Sequence, residues 1–290
     1  MCLAFRYCLA TLLVALPAFV PATLLAEDTD GDGVYEEVED TPNKAKLWLM
    51  VGAYYPSLNT KVQISELNGQ IGTRLDFESD LGMRDVALMP FLSASYRINS
   101  RHRLGLSYFD LKRQGSETSD VTLFIGDQEF SANLPITSFL DVKALSITYG
   151  YSLVTNPVYD LELSVGVSVQ DLGLGFAQTQ NQEEINLVTG YTVPLPTLGL
   201  SGFYAITDKW LLEARAGYFA LDLSWDDNER NFGGHIVDAS AGIYHKTFKN
   251  IGFGLHWSYF DVNVNYNRDS RAVRADYTYS GPLFRIVGYY

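Results

Sequence analysis

From residue 46 onward apolar and polar positions alternate with a period of two, the mark of strands whose two faces meet different surroundings. Leu161, Leu163, Val165, Val167 and Val169 share one face of such a strand, and Glu162, Ser164, Gly166, Ser168 and Gln170 share the other. Leu92, Ala94, Tyr96 and Ile98 likewise oppose Ser93, Ser95 and Arg97. Leu198, Leu200, Tyr204 and Ile206 oppose Thr197, Gly199, Ser201 and Phe203, and Leu255, Trp257 and Tyr259 oppose Gly254, His256 and Ser258. A water-soluble sandwich would carry a thoroughly charged second face. Here that face is mostly Gly and Ser with isolated charges, which suits a cramped polar lumen.

The connections are asymmetric. Short turns fall at Asn99-Ser100-Arg101, Thr155-Asn156-Pro157, Thr207-Asp208-Lys209 and Lys249-Asn250. Longer polar connections cover residues 57–85, 115–138, 180–190 and 226–233, with a shorter one at 267–271. Short turns at one end and long loops at the other predict an all-β chain closed as a transmembrane antiparallel up-and-down β-barrel. Its strands are read at 46–56, 86–98, 102–114, 140–154, 159–178, 191–206, 209–225, 234–248, 251–267 and 272–290. That count is ten, an even number, with both chain ends at the short-turn side. Two loops carry hairpin signals of their own, Asn68-Gly69 between 60–65 and 72–77, and Gly126-Asp127 between 121–125 and 128–133. They are read as extensions beyond the bilayer. Counting one as a span would give twelve strands, and mis-pairing the first two would give eight.

Aromatics cluster at two heights. Ser107-Tyr108-Phe109-Asp110, Gly217-Tyr218-Phe219 with Asp222, and Ser258-Tyr259-Phe260-Asp261 recur on upward strands, each placing aromatics before an acid. Tyr96, Tyr149, Tyr151, Tyr204 and Tyr244 precede the short turns on downward strands. Two such levels fit the girdles at the edges of a hydrocarbon layer.

The N-terminus adds a compartment. Arg6, the apolar run from Leu9 to Leu16 and the small residue Ala26 before Glu27 make residues 1–26 a secretory signal peptide. Both cysteines, Cys2 and Cys8, lie within it, so the mature chain is expected to hold no thiol and no disulfide. Losing Arg6 takes the formal charge from −13 to −14. With 21 Lys and Arg against 34 Asp and Glu, nucleic acid is not an expected partner. Nothing after residue 26 approaches the roughly 18 continuous apolar residues of a membrane-spanning helix.

The chain ends Leu283-Phe284-Arg285-Ile286-Val287-Gly288-Tyr289-Tyr290, a strand closing on an aromatic. With the signal peptide and the loop asymmetry, this sequence resembles the outer-membrane β-barrel superfamily of Gram-negative bacteria over residues 46–290. The resemblance implies a place in the outer membrane, with its lipid and lipopolysaccharide as surroundings. It also implies that the barrel-assembly machinery reads the terminal strand at Tyr290. Tyr290 is expected to face lipid with Ile286 and Phe284, and Arg285 the lumen, since a charge on the lipid face costs about 2–4 kcal/mol near midplane.

Candidate chemistry is sparse. The four histidines are His102, His235, His245 and His256, and there is no glycine-rich phosphate loop, Gly-x-Ser-x-Gly or His-Glu-x-x-His. His256 and Ser258 are two apart on one strand face, as in outer-membrane phospholipases and lipid A deacylases, where the imidazole activates the hydroxyl. Those families aim the pair at lipid; here it is expected to point into the lumen, and Asn-Gly does not follow the Ser. Asp226, Asp227, His235 and Asp238 hold the residue types of an omptin-like protease without its spacing. Arg97, Glu162, Glu213, Arg215, Asp238, Lys246 and Arg285 fall on inward faces, where they form a salt-bridged core or line a narrow polar path. Loop charges over 66–85 and 226–230 are expected to be solvated.

The expected function is a non-enzymatic barrel, structural or a narrow passage for small solutes. The alternatives are a lipid-modifying hydrolase using His256 and Ser258, and an adhesin or recognition barrel acting through its long loops. No cofactor is expected within the barrel. The acidic leader 27–45 holds one further motif. Asp28, Asp30 and Asp32 stand at positions 1, 3 and 5 of a twelve-residue calcium loop, with Gly33 at the turn and Glu39 at the bidentate position. This set could wrap one Ca²⁺, or the leader could simply be acidic.

Overall fold

The computed structural model describes residues 45–66, 72–125, 128–180, 183–225, 230–268 and 271–290. The expected signal peptide, the residues of the expected calcium loop, Asp28, Asp30, Asp32 and Glu39, and the turn pairs Asn68-Gly69 and Gly126-Asp127 lie outside them.

Among the described residues fourteen strands form: β1 Leu47–Tyr54, β2 Ser57–Glu66, β3 Arg74–Asp76, β4 Met89–Arg97, β5 His102–Thr118, β6 Leu123–Ile125 and β7 Gln128–Phe130. They continue with β8 Pro135–Thr155, β9 Tyr159–Gln180, β10 Glu183–Ala205, β11 Trp210–Trp225, β12 Arg230–Lys246, β13 Ile251–Arg268 and β14 Arg271–Tyr289. Ten make the wall, in the antiparallel order β1-β4-β5-β8-β9-β10-β11-β12-β13-β14, and β14 pairs back onto β1 to close it. Closure runs from Trp48 opposite Tyr289 to Tyr54 opposite Leu283. Above it β2 takes over the same edge of β14, from Ser57 opposite Ser280 to Glu66 opposite Arg271. The two predicted hairpins are present as β2–β3 and β6–β7 and add no span to the wall.

The wall strands are long, 21, 22 and 23 residues in β8, β9 and β10, against the roughly 9–11 that cross a bilayer. Their polarity explains the surplus. Along β13 the outward face runs Ile251, Phe253, Leu255, Trp257, Tyr259 and then turns polar at Asp261, Asn263 and Asn265. The inward face starts Gly252, Gly254, His256, Ser258 and turns apolar at Phe260, Val262 and Val264. β9 inverts between Val169 outward and Leu172 inward, β8 between Leu145 outward and Val142 inward, and β5 between Leu106 outward and Leu111 inward. Below the inversion the barrel is apolar outside and polar inside, as hydrocarbon requires; above it the arrangement is that of a protein in water.

The upper half accordingly has a hydrophobic core inside the barrel, where the alternation alone predicts a polar lumen. Leu111, Val142, Leu174, Phe176, Ile236 and Val262 project from the wall and pack on Phe77, Leu81 and Met83 of the 57–88 connection and on Ile125 and Phe130 of the β6–β7 hairpin. This connection is not a solvated loop. The buried Arg113 of β5 donates to the Glu78 carboxylate at 2.6 Å, to Thr60 Oγ1 at 2.9 Å and to the Arg84 carbonyl at 2.7 Å. The expectation of solvated charge over 66–85 therefore fails at Glu78, which long-range folding draws into an ion pair. Gln178 holds the hairpin from below, accepting from Ser131 N and donating to the Ser131 and Leu134 carbonyls.

Candidate functional site

The lumen below the inversion collects the charged residues. Short turns put Arg97 at the end of β4 and Asp160 at the start of β9, and Arg97 Nη2 meets Asp160 Oδ2 at 2.8 Å. Arg103 on β5 bridges from Asp160, at 3.7 Å, to Glu162, at 3.3 Å. Across the barrel Arg285 on β14 donates to Glu213 on β11 at 3.1 Å and to the Tyr244 hydroxyl. Tyr244 in turn donates to Glu213 at 2.8 Å. Arg215 and Asp238 form a separate, more exposed pair at 3.2 Å. Lys246 shares the inward face of β12 with Tyr244, at the short-turn end.

The predicted inward set thus falls into two linked groups, one built on Asp160 and Arg103 and one on Glu213 and Arg285, with Arg215 and Asp238 as a further pair. Arg103 and Asp160 complete these groups and were missed from the sequence; Tyr244, expected in the lower aromatic girdle, instead turns inward and is buried against Glu213. The signal was parity: Asp160 precedes Glu162 by two, and Arg103 precedes Gly105 and Ser107 on the same face.

An aromatic floor closes the lumen at the level of the lowest charges. Trp48 meets Phe203, Tyr244 and Tyr289 edge-on, with centroids 5.8, 5.8 and 5.2 Å away, and Leu211 and Val287 fill the gaps. Arg103 stacks over Phe203 at 5.0 Å and Arg285 over Phe91 at 5.5 Å, so cations and rings interlock. From bottom to top the interior therefore runs from interlocked aromatic and charged groups through small and polar ones to an apolar core.

His256 and Ser258 both face inward on β13. The His256 side chain is fully buried, packed on the Tyr244 ring at 4.5 Å with Nδ1 3.7 Å from Glu213. A Cβ on Gly242 would run into its ring, which is why a glycine stands opposite it on β12. Neither ring nitrogen has a hydrogen-bond partner among the described residues, so the Ser258 hydroxyl is not engaged by it. His235 and Asp238 occupy opposite faces of β12: His235 points outward, 3.7 Å from Asp261, and Asp238 points inward. Asp226 and Asp227 lie outside the described residues. Terminal Tyr290 is exposed on the outward face with Phe284 and Ile286, while Arg285 faces the lumen.

No protein-family model matches the chain, and no curated protein matches it in sequence. Solved structures do. The outer-membrane protease OmpT from Escherichia coli aligns at TM-score 0.53 and 10% identity, covering 84% of this chain and 97% of that one. The translocator domain of the autotransporter NalP from Neisseria meningitidis aligns at 0.43 and 13%, over 84% and 87%. The Pseudomonas putida toluene transporter TodX aligns at 0.33 and 10%, over 87% and 93%. At such identities the likeness concerns fold and carries no activity with it. A closed ten-strand antiparallel wall, an apolar outer belt and the likeness to OmpT lead to one conclusion: the chain has the fold of outer-membrane β-barrel proteins.

Proposed function

We propose that this protein is a non-enzymatic outer-membrane barrel, closed to solutes, that holds a self-packed β-structure above the outer leaflet. The observation that carries this reading is the filled interior. A passage would need a continuous polar path, but the aromatic floor and charge pairs give way to an apolar core packed by the 57–88 connection and the β6–β7 hairpin. Of the two forms left open by the sequence, the structural one is favoured over the passage. The uncoupled His256 and the divided His235 and Asp238 favour a non-catalytic role. In this reading residues 1–26 direct export, Tyr290 closes the strand read by the assembly machinery, and lipopolysaccharide surrounds the upper wall. The leader 27–45 then lies on the periplasmic side, where its acidic loop is a candidate for weak Ca²⁺ binding.

Refolded protein in a planar bilayer is expected to give no stable conductance steps in either polarity. Regular steps of fixed amplitude would favour the passage.

A further inference from the structure

The wall above the inversion is not featureless. A groove of about 540 Å³ opens on it across β5, β8, β9 and β10. Its floor is one register row, Gln114 opposite Phe139, Phe139 opposite Gly175, and Gly175 opposite Val188. A Cβ on Gly175 would run into the Phe139 ring, so that ring lies across the glycine and turns its other side outward. Val188, 71% exposed, extends the apolar floor on the next strand. Polar ends stand around it: the Gln114 amide in the row itself, Thr137 and Asn186 in the row above, and the exposed Arg84 guanidinium from the 57–88 connection.

We infer that this groove binds a pyranose carrying a phosphate, supplied by the core saccharide of neighbouring lipopolysaccharide. A flat aromatic face accepts the C–H face of a sugar ring. Amides and a hydroxyl at its margin match the ring's equatorial hydroxyls, and a guanidinium matches a phosphate. Height selects the source. Lys143 stands outward at the level of Asp110 and Asp171, just above the last apolar outward residue of β8, Leu145. Phe139 lies two outward positions higher, about 13 Å along the strand at ~3.3 Å per residue. A groove opening sideways at that height faces the sugars attached to surrounding lipid rather than a partner arriving at the tip. This inference rests on the proposed reading that the upper half stands outside the hydrocarbon.

The test uses the full mature protein in detergent micelles and the phosphorylated core oligosaccharide released from lipopolysaccharide by mild acid, followed by calorimetry. Binding is expected, weakened about tenfold by Arg84→Gln, which removes the charged donor at an exposed position. Phe139→Leu still covers Gly175 but offers no ring face, and is expected to weaken binding similarly. Phosphatase treatment of the oligosaccharide should reproduce the Arg84→Gln loss and leave that variant unaffected. The proposal is overturned if wild type does not bind, if both variants bind as wild type does, or if a neutral soluble oligosaccharide binds equally well. Failure here with the upper wall still water-accessible would remove the groove alone; an upper wall buried in lipid would remove the reading beneath it.

Discussion

Replacing Glu213 by Leu should destabilise the folded barrel by roughly 3–5 kcal/mol, because Arg285 is left charged in a site sealed from water. Arg285→Met should cost a similar amount by stranding Glu213. Joining the two changes should recover most of the loss, since a buried ion pair replaced by packed apolar groups is close to neutral. A residue of about 1–3 kcal/mol is expected to persist, because Tyr244 then loses both Glu213 and Arg285 as hydrogen-bond partners. Urea unfolding in lipid vesicles, followed by tryptophan fluorescence, reads all three variants. Losses that simply add in the double variant would mean that the pair is solvated and the lumen open at this level.

The second large effect belongs to the inversion. Val262 is 1% exposed, packed inside the upper barrel. Val262→Asp should cost roughly 2–7 kcal/mol even if the carboxyl enters protonated, because no partner waits for it there. Three residues along, Asn265 faces out and accepts from Arg274, and Asn265→Asp, which keeps an oxygen on that guanidinium, should change stability by no more than about 1 kcal/mol. Seven residues below Val262, the response exchanges faces: Leu255→Asp meets lipid and should cost about 2–4 kcal/mol. A wall in one solvent throughout would show one response along each face.

The same inversion marks where the sequence was legible and where it was not. Alternation gave ten strands because a side chain's face depends only on parity along the chain. Short turns gave the ends of β4, β8, β10 and β12 to within a few residues. Parity says which residues share a face but not what that face meets. Leu172, Leu174 and Phe176 continue the face of Ser168 and Gln170, so the change of environment was present in the sequence, yet reading that face as uniformly polar hides it. The interior of the upper half depends on contacts of long sequence separation, such as Arg113 with Glu78 and Phe77 with Phe176. No local pattern in 57–88 distinguishes a loop folded inward from one in water. The charged pairs were half legible, since inward parity identified Glu213 and Arg285 but could not choose partners across a closed ring.

Cysteine accessibility along β13 tests the inverted barrel most directly. Cys2 and Cys8 are the only cysteines in the sequence, so single-Cys variants are clean once both are replaced by Ser. A membrane-impermeant maleimide added to folded protein in vesicles should label Asp261→Cys, Asn263→Cys and Asn265→Cys. Phe253→Cys and Leu255→Cys should be shielded by lipid, and Val262→Cys and Val264→Cys by the core. Labelling of Val262→Cys and Val264→Cys with protection of Asn263→Cys and Asn265→Cys would instead mean a water-filled lumen inside a wall that faces lipid to its top, and would contradict the account.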